Sequence, residues 1–192
     1  MKAAIIIGHT DDDEGAVMAP PLTFLSEYKF GTMLAAKIAI ELSDRGHFWD
    51  VFRRDKVGVA GAYASAKAAG AQACVELHFN ASDVPMAMGT ETLVGLSSES
   101  LILGDFIHKR MCAVFSRVGI FDRGIKVVKN GERGNQSVNN GTGIPSCLIE
   151  PFFGSNKEDM RAGVKRIDDL AIAIASGLIG FGDRLKANAH VN

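Results

Sequence analysis

Residues 74–80, Cys-Val-Glu-Leu-His-Phe-Asn, form a short apolar run that ends with a histidine and an asparagine. The run lies between the Ala- and Gly-rich residues 60–73 and the loop-like residues 81–85, so it predicts an interior strand that opens into a loop. Loops at the carboxyl ends of strands are where open α/β sheets bind ligands. His78 is therefore a candidate site residue, provided that other strands bring partners to it.

Two further apolar runs end on a polar side chain in the same way. Residues 3–7 are followed by Gly8 and His9, and residues 146–150 end in Glu150. Glu27 comes from a different element, the first turn of a helix predicted for residues 26–44, where a carboxylate also complements the helix dipole. Each residue taken singly has a structural explanation, because a lone histidine after a strand is usually a satisfied hydrogen-bond donor. Their combination is what indicates a site.

Apolar runs and helically spaced apolar residues alternate along the chain. Strands are predicted at residues 3–7, 47–53, 71–77, 89–94, 123–128 and 146–150, and helices at residues 26–44, 60–69, 100–114 and 157–179. This order predicts a single α/β domain with a twisted, mostly parallel or mixed sheet and helices on both faces. The domain is expected to span residues 1–182, followed by a frayed tail at 183–192. The Gly- and Asn-rich residues 130–143 predict a mobile or substrate-facing loop.

Composition excludes several functional classes. A chain of 192 residues with a net charge of −1 and scattered basic residues has no electrostatic footprint for nucleic acid. No apolar stretch is long enough for an integral membrane segment, and the apolar run at residues 3–7 is too short for the core of a signal peptide. The three cysteines are an odd number in apolar segments, which favours buried free thiols. We therefore expect synthesis in the cytoplasm without a signal peptide.

The carboxyl ends of parallel strands meet at one edge of a sheet, so we expect His9, Glu27, His78 and Glu150 to lie together there. Two neutral imidazoles and one carboxylate hold a catalytic zinc ion in several hydrolases and leave a fourth position for water. A second carboxylate, not bound to the metal, would then act as the general base.

These residues lie within motifs whose order and spacing resemble those of zinc-dependent N-acetylmuramoyl-L-alanine amidases of amidase family 3, the catalytic domains of bacterial autolysins and phage endolysins. The resemblance covers residues 5–178 and rests on the segments at 5–9, 26–27, 77–81, 89–91, 123–126, 148–150 and 155–156. It implies one zinc ion per chain, with His9, Glu27 and His78 as ligands and Glu150 as the catalytic carboxylate. The implied reaction is hydrolysis of the amide between N-acetylmuramic acid and the L-alanine of the peptidoglycan stem peptide.

Four further residues are candidates for substrate binding: Asn80, Arg123, Lys126 and Asn156. Asparagine is also a common turn residue, and Arg123 and Lys126 have the simpler role of solvating the end of a strand. The sequence departs from the family at Thr10-Asp11, where two glycines are usual, and at residues 151–154, Pro-Phe-Phe-Gly, which replace glycine and aliphatic residues.

Two other functions would use some of the same residues. A zinc peptidase of the carboxypeptidase type uses the same ligand types, but there the first His and the Glu lie three positions apart, whereas His9 and Glu27 are 18 apart. A non-catalytic cell-wall-binding module is disfavoured by the retention of all four polar positions. For an amidase that acts on peptidoglycan, release as a phage or prophage lysin is expected in preference to a role in cytosolic recycling.

Overall fold

The computed structural model describes residues 1–189, and within them six strands form a single sheet. The strands are β1 (Lys2–Ile7), β2 (Phe48–Phe52), β3 (Ala73–Leu77), β4 (Thr90–Val94), β5 (Asp122–Val127) and β6 (Ser146–Glu150). The helices are α1 (Glu27–Asp44), α2 (Gly58–Ala68), α3 (Ser98–Phe115), α4 (Asn135–Val138), α5 (Lys157–Lys165) and α6 (Ile167–Ala189).

The strand order is β2-β1-β3-β6-β4-β5. The first four strands of this order are parallel, β4 is antiparallel to β6, and β5 is parallel to β4. The predicted single α/β domain with a mixed sheet is therefore confirmed. The N-terminal end of α1 is also as predicted, since the Ser26 side chain accepts a hydrogen bond from the Lys29 backbone N–H at 3.2 Å.

Side chains on a strand point alternately to the two faces of the sheet, and this alternation divides the core. Ile5 and Ile7 of β1 belong to the larger core, which α1, α3 and α6 cover. Ile6 belongs to a smaller core on the opposite face, where Tyr63 of α2 packs. Helices thus cover both faces, as the sequence predicts. The side chain of Glu76 in β3 also belongs to the α2 face, because the Tyr63 hydroxyl donates a hydrogen bond to it there.

Two segments differ from the sequence prediction. The predicted helix at 157–179 is two helices, α5 and α6, separated by Arg166, whose φ of −108° and ψ of 22° are not helical. The apolar spacing from Met160 through Ile167 to Leu170 continues across this break, and neither Gly nor Pro marks it, so periodicity alone does not reveal it. The predicted loop at 130–143 contains the short helix α4.

The C-terminal end differs from the expectation as well. Residues 183–189, assigned to a frayed tail, are the last turns of α6, and Leu185 packs against the core. Residues 190–192 lie outside the described part of the chain. Cys74 and Cys147 are buried free thiols as predicted, whereas Cys112 is only half-buried. Between residues 1 and 189, no helix is long and apolar enough to cross a membrane.

Candidate metal centre

Three potential metal ligands converge at the carboxyl ends of β1 and β3. His9 follows β1, Glu27 is the first residue of α1, and His78 follows β3. Glu27 Oε2 lies 3.3 Å from His9 Nε2 and 2.8 Å from His78 Nδ1. One ligand atom from each residue lies within 4.8 Å of the others. Bonds of about 2 Å from one ion would span such distances after small side-chain movements.

Both carboxylate oxygens of Glu27 have partners. Its Oε1 accepts a hydrogen bond from the Ala16 backbone N–H at 3.1 Å, which leaves Oε2 facing the two histidines. Burial by itself would raise the pKa of Glu27, but the hydrogen bonds with His78 and His9 outweigh burial and lower this pKa to about 2. Glu27 is therefore an ionised carboxylate at neutral pH, the form that binds a cation.

Glycines make room for both histidine rings. His9 has a positive φ of 62°, and a Cβ placed on Gly15 would lie 2.6 Å from its ring. A Cβ placed on Gly8 would lie 2.4 Å from His78 Nε2. After His9, where the family usually has two glycines, Thr10 and Asp13 form a tight turn in which Asp13 N–H donates to Thr10 Oγ1 at 3.0 Å.

His78 is buried and contacts a carboxylate through each ring nitrogen. Nδ1 faces Glu27, and Nε2 lies 3.1 Å from Glu76 Oε1. Burial would lower the pKa of His78, but the two carboxylates outweigh it and raise the pKa to about 9. In the metal-free protein His78 is consequently protonated at neutral pH.

Glu150 ends β6 and is only 2% exposed. Its Oε1 accepts a hydrogen bond from Arg133 Nη2 at 3.2 Å, while Oε2 has no hydrogen-bond partner within residues 1–189. Burial is the largest influence on this carboxyl and raises its pKa to about 7. A buried group that titrates near neutrality and has one free oxygen is suited to accepting and returning a proton.

The side chains of His9, Glu27, His78 and Glu150 line one cleft of about 430 Å³. Residues 131–137, from the loop predicted to face the substrate, form one wall of it. The other lining residues are His9, Glu27, Arg54, Val59, His78, Leu93, Leu148 and Glu150.

The residues predicted to bind substrate lie outside this lining. Asn80 Nδ2 donates to Glu91 Oε1 at 2.9 Å, and Arg123 Nε donates to Glu91 Oε2 at 2.6 Å. Asn156 is the N-cap of α5, and its Nδ2 donates to the Pro85 carbonyl at 3.0 Å. These contacts hold the three side chains within the fold, and Arg123 pairs with Glu91 instead of only solvating the end of a strand.

Lys126 is exposed on β5, the edge strand of the sheet. Like the other three candidates, it does not line the cleft. A lysine on an edge strand also discourages pairing with a further strand, which gives Lys126 a role that requires no substrate.

Sequence reasoning did not name four charged residues at the site: Arg54, Glu76, Glu132 and Arg133. Glu76 had a usable signal, because it precedes His78 by two positions in a strand and therefore shares its face of the sheet. Arg133 belongs to the loop at 130–143 that is predicted to face the substrate, but no pattern in the sequence singles it out within that loop.

A second group of potential ligands joins α3 to β5. His108 Nε2 lies 2.8 Å from Asp122 Oδ1 and 3.4 Å from Cys112 Sγ, and His108 Nδ1 lies 3.0 Å from Thr92 Oγ1. Burial, followed by the nearby Asp122, raises the pKa of the Cys112 thiol to about 12, so the thiol is protonated at neutral pH. A histidine hydrogen-bonded to Asp122 and Thr92 explains this group without an ion.

Comparison with known proteins identifies the family. The profile of the N-acetylmuramoyl-L-alanine amidase family matches residues 4–180. A search of curated protein sequences gave no significant match.

Solved structures with the same fold include two bacterial amidases. The catalytic domain of CwlV from Bacillus (Paenibacillus) polymyxa var. colistinus is 24% identical, with a TM-score of 0.80 over 95% of this chain and 98% of that one. AmiC2 of Nostoc punctiforme is 22% identical, with a TM-score of 0.80 over 95% and 97% of the two chains.

The catalytic domain of the CD27L endolysin, which targets Clostridia difficile, is 26% identical, with a TM-score of 0.72 over 94% of this chain and 97% of that one. The family profile covers nearly the whole chain and includes every residue of the candidate centre. The protein therefore belongs to the N-acetylmuramoyl-L-alanine amidase family.

Proposed function

We propose that this amidase binds one zinc ion through His9, Glu27 and His78 and uses Glu150 as its general base. The substrate would be the amide between N-acetylmuramic acid and the L-alanine of the stem peptide. Membership of the family supports amidase activity on peptidoglycan. The observation that carries the zinc proposal is the meeting of two imidazole nitrogens and one carboxylate oxygen beside a second, separately held carboxylate.

The donor set fits zinc better than a harder cation. Zinc accepts mixed imidazole and carboxylate ligands and, in catalytic sites, takes three ligands from the protein. Mg²⁺ and Ca²⁺ prefer oxygen ligands throughout. Glu27 is ionised and both histidines face it, so the three side chains offer one carboxylate oxygen and two imidazole nitrogens to the ion.

Glu150 would move the proton during hydrolysis. When bound, zinc supplies Lewis-acid chemistry, polarising the scissile carbonyl and making water more acidic. As the water oxygen bonds to the carbonyl carbon, Glu150 Oε2 would accept the proton that the water loses. The C–N bond then breaks, and Glu150 returns this proton to the leaving nitrogen of L-alanine, which restores the carboxylate. Arg133 would hold Glu150 by its other oxygen throughout.

Of the four residues considered for substrate binding, Arg123 and Lys126 would contact only those parts of the glycan or peptide that extend beyond the cleft, because neither lines it. Asn80 and Asn156 are buried and hydrogen-bonded within the fold. Arg133 and the rest of the 131–137 wall line the same cleft as the proposed zinc ligands and Glu150. Contact between this wall and the stem peptide is therefore the more direct route to substrate selection.

We also propose that the protein acts on the cell wall as a lysin, released from the cell in which it is made. The likeness to an endolysin catalytic domain supports this place of action. Co-expression with a membrane-permeabilising protein should lyse a bacterial culture, whereas expression alone should not. Lysis without permeabilisation would contradict the proposed release.

Metal analysis together with mass spectrometry of digested peptidoglycan tests the main proposal. We expect about one zinc per chain and new L-alanine amino termini. Products cleaved within the peptide would instead indicate a carboxypeptidase-type enzyme, and intact peptidoglycan with bound protein would indicate a binding module.

Two variants assign the metal to its site. The His78→Ala variant should lose both zinc and activity, whereas Cys112→Ser, which alters the second group of potential ligands, should keep both. An active, metal-free His78→Ala protein would exclude the proposed centre.

A further inference from the structure

We propose that Glu76 is a positioning residue that fixes His78 in its metal-binding tautomer. This inference rests on the proposed zinc centre, in which His78 is a ligand through Nδ1. Glu76 itself does not line the cleft and would contact neither the ion nor the substrate. Its effect would pass through the second nitrogen of the His78 ring.

Glu76 is a carboxylate in an unusual place. It lies in the middle of β3, is 0% exposed, and has apolar neighbours on either side in the strand. Burial of a carboxylate is costly unless charged or hydrogen-bonding partners compensate it. Arg54 Nη1 donates to Oε1 at 3.0 Å, and the Tyr63 hydroxyl donates to Oε2 at 2.9 Å.

These two partners also orient the carboxylate. Tyr63 is fully buried on α2, and Arg54 follows β2, so the two side chains approach Glu76 from separate elements. Oε1, the oxygen bound by Arg54, is the one that faces His78 Nε2 at 3.1 Å. Glu76 is thereby held in place as an acceptor for the histidine.

The contact between Glu76 and His78 Nε2 determines which nitrogen of the His78 ring carries no hydrogen. A carboxylate held by two donors can only accept, so His78 Nε2 must carry a hydrogen and donate it. A neutral imidazole has one N–H, which leaves the lone pair on Nδ1. Nδ1 is the nitrogen that faces Glu27, and the same Glu27 oxygen faces His9. A metal-ligating histidine that donates its other N–H to a carboxylate is a recurrent way to orient the ring and raise its basicity.

A purely structural role for Glu76 makes a different prediction. If Glu76 serves only to pair with Arg54 and to attach α2 to the sheet, its loss would lower the stability of the fold and leave zinc affinity unchanged. A positioning role changes the affinity of the folded protein for zinc. The two roles are separated by measuring zinc affinity and thermal stability on the same variants.

Glu76→Gln is the suitable variant because it keeps the size of the side chain and removes its charge. We expect the zinc Kd, measured by competition with a chelator at constant pH, to rise about 10- to 100-fold. Asp159→Asn is the matched control, since Asp159 is also 0% exposed, accepts the Gly89 and Phe153 backbone N–H groups, and does not line the cleft. The control should keep its zinc Kd within about twofold, whatever the change in its thermal stability.

A measurement on the unmodified protein keeps the inference testable if Glu76→Gln does not fold. In the zinc-loaded protein, long-range ¹H–¹⁵N correlation of the histidine side chains should show His78 with a protonated Nε2 and a metal-bound Nδ1. A metal-bound Nε2, or a Glu76→Gln variant with the zinc Kd of the parent, would overturn the role of Glu76. Absence of zinc binding by the parent protein would instead overturn the proposed centre itself.

Discussion

His78 Nδ1 lies 2.8 Å from Glu27 Oε2, although 51 positions separate the two residues in the chain. The contact joins the end of β3 to the start of α1 and is buried on both sides. Together with Glu76, Glu27 outweighs the effect of burial and raises the pKa of His78 to about 9. His78 is therefore protonated at neutral pH in the metal-free protein. A cation bound at Nδ1 has to replace that proton.

The first prediction follows from this competition between zinc and a proton. Below the His78 pKa of about 9, each zinc ion bound should release close to one proton from His78. Zinc affinity should therefore rise by up to about tenfold per pH unit on going from neutral pH towards pH 9. Calorimetry in buffers of different ionisation enthalpy measures the proton count. An affinity that does not change over this range would contradict the assignment of His78 as a ligand.

A second prediction concerns the proton acceptor. Glu150 must be ionised to accept a proton, and its pKa is about 7, so kcat/KM should fall as the pH drops below this value. Glu150→Gln should keep zinc and lose a factor of about 10² to 10⁴ in the rate of peptidoglycan solubilisation. Zinc content and turbidity loss measured on the same preparation test both parts. Normal clearing of cell walls by this variant would remove Glu150 from the mechanism.

The same substitution should stabilise the metal-free protein at high pH, which is the third prediction. The folded-state pKa of Glu150, about 7, lies above the ordinary value of 4.5, so its contribution to stability is complete below 4.5 and is lost as the pH rises through 7. At pH 8, Glu150→Gln should raise the free energy of unfolding by about 3 kcal/mol, and at pH 4.5 the difference should be below about 0.5 kcal/mol. Urea unfolding of zinc-free protein at both pH values provides the measurement. Equal stability at pH 8 would indicate that Glu150 is not buried as a costly carboxylate.

Arg133 gives a fourth prediction through its hydrogen bond to Glu150 Oε1. Its positive charge lowers the pKa of Glu150, against the larger effect of burial, so Arg133→Met should move the acidic limb of the pH–rate profile to higher pH. The shift should stay below about one unit, because the Arg133 side chain is 70% exposed and solvent screens its charge. Arg117→Met, at an exposed arginine outside the cleft, is the control and should leave the profile unchanged. If the acidic limb of the Arg133→Met profile moved to lower pH instead, the result would contradict the effect of Arg133 on the pKa of Glu150.

Much of the architecture could be predicted because local patterns determine it. The apolar runs that end at His9, His78 and Glu150 are interior strands, and parallel pairing of β1, β3 and β6 brings their carboxyl ends together. Glu27 was a weaker inference from the residues alone, since a carboxylate in the first turn of a helix usually serves only the helix. The resemblance to a family gave it a role, and its two histidine contacts now support that role.

The parts that could not be predicted depend on contacts between distant segments. Arg123 and Asn80 have the residue types of a substrate-binding pair, but Glu91 binds both of them within the fold. Glu76 is a single acid in an apolar strand, and its importance depends on Arg54, which belongs to another part of the chain. A sequence pattern shows to which face of a sheet a side chain points. The residue that it contacts on that face can be identified only from the tertiary structure.

The last prediction concerns the space beside His9. Gly15 and Gly46 have similar backbone angles, with φ of 75° and 72°, so alanine strains the backbone equally at both positions. A Cβ at Gly15 would lie 2.6 Å from the His9 ring, whereas a Cβ at Gly46 would have no atom within 4 Å. Both variants should therefore lose about 1 kcal/mol of stability from backbone strain, but only Gly15→Ala should also displace His9 and weaken zinc binding. Urea unfolding without metal measures the first effect, and chelator competition measures the second. Equal zinc affinity in the two variants would mean that His9 does not need the space that Gly15 leaves, and would weaken its assignment as a ligand.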